Sequence, residues 1–306
     1  MFYLFYLLFV LIYGCYNIRV YCYSLLNCQD LVRSKLVGKW DYYYRNGGNK
    51  ISTDDILLAY FSLNKFKEIK LNNTINAPII KDDISNIVNF VDLGTGIGST
   101  LLLLAYNFNN SFSNGYGIEV QLESYLILNK TLFALNNTTN INTNYKKIKI
   151  IHDDLRNFNT TMKFDLITLN PPFLNINSGS IPYDVQRRNA RFEFHGKIED
   201  YLIKSKELLN YINFNSKILV SYPSKEIIRI EQIVYKLNLY ISKIIKVIGT
   251  DNSIFEIKYN NNNQCNKTFT IFYSIDISKN KVTRELSDFY KNVLNDLSIP
   301  KRKHLY

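Results

Sequence analysis

Cysteine is scarce in this 306-residue chain, and three of the four fall within the first 28 positions. Only Cys265 is left for the body, so neither a disulfide framework nor a zinc cluster can be assembled there. Glycine is also sparse, at 12 residues, and no fixed-period repeat is present; that excludes collagen and solenoid architectures. Acids are outnumbered, 26 against 37 bases, which leaves a formal charge of +11. What is abundant is apolar: 46% hydrophobic against 21% charged describes a chain that buries a core rather than a disordered one. The length allows one large domain or two modest ones. Asn is common and, with Ile, Lys and Tyr, reflects a compositional bias. Sequons such as Asn129–Thr131 therefore fall by chance, here on an expected helix rather than a surface loop. The positive charge favours a polyanionic partner such as nucleic acid; a Lys-rich bias without a ligand is the alternative.

Phe2 to Tyr16 is an unbroken apolar and aromatic run, too short to span a hydrocarbon core of roughly 30 Å and better matched to a signal-peptide core. The stretch from Asn17 to Trp40 carries Arg19, Arg33, Lys35 and Lys39 against one acid, Asp30. A short apolar signal followed by a basic leader has the form of a two-part organelle address. The expectation is a leader over residues 1–40, outside the fold, delivering a single domain of 41–306 to an apicoplast-type plastid, with the mitochondrion as the rival. No stable membrane span is expected in the mature protein.

The body alternates short apolar runs with helical patterns. Ile87–Asp92, Gly115–Glu119, Ile148–His152, Phe164–Leu169 and Lys217–Tyr222 read as strands; Ser99–Tyr106, Leu122–Leu135 and Glu199–Tyr211 read as helices. Such alternation predicts an open, doubly wound, mostly parallel α/β sheet with ligands at the carboxyl ends of its strands. Ile241–Gly249 and Thr268–Ile275 read as an antiparallel pair ending that sheet, before a basic tip at Lys301–Lys303. Asn136–Asn144 and Asn260–Asn263 read as swollen loops.

Two motifs carry chemistry. Val91-Asp92-Leu93-Gly94-Thr95-Gly96-Ile97-Gly98 follows a strand and opens a helix, and glycines there let the backbone approach a ligand closely. Asp92 sits at the strand end. Glu119 ends the next strand, at the spacing expected for a carboxylate on a ribose. Asp153 or Asp154 follows the third, where an acid can accept from an adenine amino group. The third glycine comes too early for a pyrophosphate loop, and an acid at the turn suits a cation better. This pattern resembles class I S-adenosylmethionine-dependent methyltransferases. The resemblance implies their Rossmann-like seven-stranded sheet with an antiparallel C-terminal strand, and S-adenosylmethionine as cofactor. The second motif, Asn170-Pro171-Pro172-Phe173, follows a strand. Its prolines fix the backbone and remove two N–H donors. The Asn170 side-chain carbonyl and the Pro171 carbonyl can both accept from one planar NH2, and Phe173 offers a stacking face. The sequence resembles the N-P-P-[FY] motif of methyltransferases acting on adenine N6, guanine N2 and glutamine amides.

The flanks narrow the choice. Ile51-Ser52-Thr53-Asp54-Asp55-Ile56-Leu57-Leu58-Ala59 upstream, and Gln186-Arg187-Arg188-Asn189-Ala190-Arg191-Phe192-Glu193 downstream, resemble bacterial tRNA adenine-N6 methyltransferases that modify the purine beside the anticodon of a valine tRNA. Thr283-Arg284-Glu285 leading to Phe289-Tyr290 resembles that family's C-terminal helix. The resemblance covers residues 45–292 and implies transfer of a methyl group to adenine N6 of tRNA. It implies that Asn170, Pro171, Pro172 and Phe173 hold the base and that Gly94, Gly96 and Gly98 admit the cofactor. It places Glu119 on the ribose, Asp154 by the adenine and Asp92 at the methionine end. Thr53 and Asp54 would close the pocket. Arg187, Arg188 and Arg191 would contact phosphates or brace Glu193. Phe173 stands where the family often has Tyr. The alternatives are a guanine-N2 rRNA or release-factor glutamine enzyme, or a degenerate methyltransferase fold serving as an RNA-binding subunit.

Overall fold

The computed structural model describes residues 30–63, 89–108, 112–176, 181–213, 215–260, 271–277 and 287–300. The Phe2–Tyr16 run, Cys265, Thr283–Glu285 and the Lys301–Lys303 tip lie outside them.

The first described element is a hairpin of β1 (Leu31–Val37) and β2 (Trp40–Arg45), paired from Leu31↔Arg45 to Val37↔Trp40. Leu36, Val37 and Trp40 have no exposed surface, and Tyr42 has 1%. Trp40 meets Tyr106 edge to face at 5.2 Å and donates from Nε1 to the Asn142 carbonyl at 3.0 Å. The fold therefore takes in residues 31–40, against the expectation of a leader that extends to residue 40. Arg33 and Lys35 point outward from β1 and Lys39 is exposed in the turn, while Leu36, Val37 and Trp40 enter the core; Arg33 and Lys35 both pair with Asp41. The Asn-rich loop after residue 136 is likewise built in: Asn142 and Asn144 donate to the carbonyls of Tyr106 and Ala105.

Helix α1 (Thr53–Ser62) opens on a capping box, in which Asp55 N–H donates to Ser52 Oγ at 3.1 Å and Ser52 N–H to Asp55 Oδ2 at 2.9 Å. Every residue from Ile56 to Ser62 is buried, so α1 is a core helix rather than a surface one.

The strands that follow are β3 (Asn89–Leu93), β4 (Asn114–Glu119), β5 (Ile148–His152), β6 (Leu166–Leu169), β7 (Lys217–Pro223), β8 (Leu239–Ile248), β9 (Asn252–Tyr259) and β10 (Ile271–Asp276). They form one eight-stranded sheet in the order β10-β8-β9-β7-β6-β3-β4-β5. The helices are α2 (Ser99–Asn107), α3 (Leu122–Asn136), α4 (Val185–Arg191), α5 (Ile198–Leu208), α6 (Ile227–Lys236) and α7 (Asp288–Asp296). Two apolar layers cover the two faces: one includes α1, α2, α3, α7 and the hairpin, the other α5 and α6. That is the doubly wound arrangement the alternation predicts.

The C-terminal end of the sheet differs from expectation. The sheet has eight strands, not seven, and β8 and β10 run parallel, from Ile271↔Lys243 to Asp276↔Ile248. The antiparallel strand is β9, inserted between β7 and β8 and antiparallel to both. Its central Glu256 disguises it in the sequence. That carboxylate, on a residue only 4% exposed, is neutralised by Lys217, Lys243 and Lys258 at 3.7–3.9 Å and accepts from Ser242 Oγ at 2.7 Å. The strand order reverses at β3, whose neighbours are β6 on one side and β4 on the other, and such a switch point opens a crevice beyond the strand ends.

Candidate active site

At the end of β3 the chain turns through Gly94, Gly96 and Gly98, with φ of 70°, 59° and 86°. A methyl group added at Gly98 would lie 2.4 Å from Leu128 Cδ1, so this glycine lets α2 approach α3. One added at Gly96 would meet no atom within 4 Å. There the backbone borders open space, as a ligand cradle requires.

Glu119, at the end of β4, ties this turn in place. Gly96 N–H donates to Oε2 and Gln121 N–H to Oε1, both at 2.7 Å. A ribose hydroxyl would share oxygens already holding the loop, which a carboxylate's spare lone pairs permit. Burial pushes the Glu119 carboxyl up to about 7, against the pull of its backbone donors. Asp92 lies opposite Thr168 in the β3–β6 register and accepts from Thr168 Oγ1 at 2.6 Å and Thr95 Oγ1 at 2.7 Å. Burial raises it to about 7 as well, with Asp55 and Glu119 adding to the effect. After β5, Asp153 N–H donates to the Glu119 carbonyl at 3.1 Å. Asp154 is gripped by Arg156 through Nε and Nη2 at 2.9 and 2.5 Å, which holds its carboxyl below the usual range. The acid assigned to the adenine thus already carries a guanidinium.

Leu93 and Leu169 are register partners on the adjacent parallel strands β3 and β6. Gly94 and Asn170 therefore leave the sheet side by side, one strand spacing of about 4.8 Å apart. Asn170 Nδ2 donates to Asp55 Oδ1 at 2.8 Å, and no described residue is bonded to its Oδ1. Pro171 and Pro172 are buried, and Phe173 is 38% exposed. The N–H groups of Phe173 and Leu174 both donate to the Arg191 carbonyl, at 3.1 and 2.9 Å. The Phe173 ring stands edge-on to Tyr222, centroids 6.3 Å apart. Tyr222 Oη donates to Glu193 at 3.4 Å and accepts from Arg229 Nη1 at 3.3 Å, and Arg229 also binds Glu199.

The three arginines of α4 divide. Arg187 and Arg188 are half-buried, with Arg188 lying 5.4 Å over the Phe194 ring, while Arg191 is exposed. The brace of Glu193 is Arg229, at 3.2 Å, and not one of these three. Thr53 and Asp54 begin α1 at the rim. Asn252 Nδ2 from β9 donates to Asp54 at 3.0 Å, and burial, then Asp55, push Asp54 up to about 6. The structure thus brings the glycine turn, Asp54, Asp92, Glu119 and Asn170 to one end of the sheet. Asp55, Thr168, Tyr222, Arg229 and Asn252 join them and were not anticipated. The capping-box spacing Ser52-x-x-Asp55 marks Asp55 as a helix start, but nothing local shows that it meets a residue 115 positions on.

No family model matches the chain, and no curated protein matches it. Solved structures do. A predicted O-methyltransferase, Atu636 from Agrobacterium tumefaciens, superposes with a TM-score of 0.50 at 12% identity, over 82% of this chain and 100% of that one. The T. thermophilus 16S rRNA N2 G1207 methyltransferase RsmC, in complex with AdoMet and guanosine, gives 0.46 at 16% identity over 75% of this chain and 50% of that one. The M. jannaschii tRNA m1G37 methyltransferase gives 0.46 at 14%, over 76% and 55%. The first likeness shows the fold alone, a doubly wound Rossmann-like α/β sheet; the other two superpose too loosely to add to it.

Proposed function

We propose that the protein is an S-adenosylmethionine-dependent methyltransferase acting on an exocyclic amino group of RNA, with adenine N6 of a tRNA as the target. The observation that carries this reading is the Leu93↔Leu169 register, which sets the glycine turn and the Asn-Pro-Pro-Phe corner next to each other. The cofactor fits the residues present: Gly96 leaves its backbone open, and Asp54, Asp92 and Glu119 surround the crevice with carboxyls raised by burial, which a cation would ease. When bound, S-adenosylmethionine supplies a methyl group on a positively charged sulfur. Asn170 Oδ1 and the Pro171 carbonyl accept the two N–H bonds of the amine and turn its lone pair toward that methyl group. Phe173 presents a stacking face. Positioning contributes most of the rate, and no general base is needed, because the amine becomes acidic once alkylated and releases its proton to water.

RNA is supported by the +11 charge and by Arg187, Arg188 and Arg191, on a helix whose last carbonyl holds Phe173. Adenine rests on the resemblance of the segments at 51–59 and 186–193 to the tRNA adenine-N6 enzymes. We also propose organelle delivery by the apolar segment at 2–16, testable by fusing the first 30 residues to a fluorescent protein.

Labelled cofactor, total RNA and nucleoside analysis test the chemistry. N6-methyladenosine is expected; N2-methylguanosine, or label in protein, would move the target to one of the rival amines. Asn170→Ala is expected to abolish transfer while cofactor binding, read by calorimetry, persists.

A further inference from the structure

A primary amide has two chemically opposite ends, and exchanging them by a half-turn costs little unless a neighbour discriminates. To grip an NH2 group, Asn170 must present Oδ1 and turn its own NH2 away. Reversed, it would offer a donor to a donor. We propose that Asp55 is the positioning residue that fixes this choice, holding Asn170 Nδ2 so that Oδ1 faces the substrate amine; the inference rests on the function proposed above.

The geometry assigns each carboxylate oxygen a separate task. Oδ2 accepts from Ser52 N–H at 2.9 Å, and Oδ1 accepts from Asn170 Nδ2 at 2.8 Å. Ser52 Oγ takes the Asp55 N–H in return, at 3.1 Å, so the carboxylate cannot swing without opening the first turn of a buried helix. Burial raises the Asp55 carboxyl, while the hydrogen bonds it accepts from Ser52, Asn170 and Ser99 favour its ionised form; in that form it only accepts and therefore rejects the inverted amide. A helix cap needs one oxygen. The second is aimed across 115 residues of sequence at the one side chain whose polarity matters to the reaction. Asp55 touches neither cofactor nor substrate in this role; it acts through Asn170.

A charge exchange tests the assignment. Asn170→Asp alone sets two carboxylates against each other, and kcat is expected to drop on the order of a hundredfold. Asp55→Asn alone lets either amide orientation form; kcat is expected to fall about tenfold, with the cofactor Kd within twofold of wild type, in line with loss of one bond to a charged group. The double variant D55N/N170D restores a single donor–acceptor pair with its polarity reversed: Asn at 55 donates, and Asp at 170 keeps an oxygen for the substrate. Its kcat is expected to recover to within about tenfold of wild type. Thermal unfolding of the same four proteins reads the contact without activity, with Asn170→Asp several degrees lower and the double variant restored. A double variant no more active and no more stable than Asn170→Asp overturns the inference. If the wild-type protein transfers no methyl group to RNA or protein amides, the proposed function falls, while the unfolding cycle still decides whether Asp55 orients residue 170.

Discussion

At the scale of single residues, the site is a set of carboxyls held away from water. Asp92 and Glu119 are raised to about 7 and Asp54 to about 6, each chiefly by burial. A carboxyl whose folded value exceeds its unfolded one takes up a proton on folding. Its contribution to stability is therefore present at low pH and is lost as pH rises toward the folded value. The ligand-free protein is expected to lose melting temperature between about pH 4 and pH 7, from the ordinary carboxyl values to the raised ones. A bound cation favours the ionised forms, so cofactor affinity should strengthen over the same window and protons should be released on binding. Calorimetry in two buffers of different ionisation enthalpy measures that release; a Kd independent of pH would contradict it. Glu119 and Asn170 were legible from their places at strand ends. Their partners were not, because Gly96 N–H and Asp55 meet them only after the chain has folded.

At the scale of elements, periodicity revealed most of the sheet. The helices at 99–107, 122–136 and 198–208 and the strands β3 to β7 lie within a few residues of their predicted bounds. The two ends depart from expectation for one physical reason: charged side chains mask the apolar pattern of elements that belong to the fold. Arg33, Lys35 and Lys39 disguise the β1–β2 hairpin, and Glu256 disguises β9; its charge is compensated by Lys217 and Lys243 from the two neighbouring strands and by Lys258 of β9 itself. The hairpin reading has a direct test. Trp40 is the chain's one tryptophan and is fully buried. Trp40→Ala should destabilise the protein by about 3–5 kcal/mol, measured by denaturant unfolding. A protein cut after residue 40 should fail to unfold cooperatively, whereas one beginning at residue 30 should melt like the full chain.

At the scale of the whole molecule, charge and topology act together. The crevice opens where strand order reverses, and α4 brings its arginines to the same side through the Arg191 carbonyl on Phe173. Replacing Arg187 and Arg191 by Glu should weaken RNA binding, lower the slope of log K against log salt by about two, and leave cofactor binding unchanged. An unchanged slope would remove these side chains from the interface. Among the described residues no helix is long and apolar enough to cross a membrane. Finally, two amide–carboxylate bonds converge on the first turn of α1, from Asn170 on the β6 side and from Asn252 at the start of β9. By the proposed role of Asp55, α1 must dock against the end of β6 before the amide at 170 is oriented. A nascent or clipped chain that lacks α1 is therefore expected to keep both motifs yet transfer no methyl group, so competence arrives only when assembly is finished.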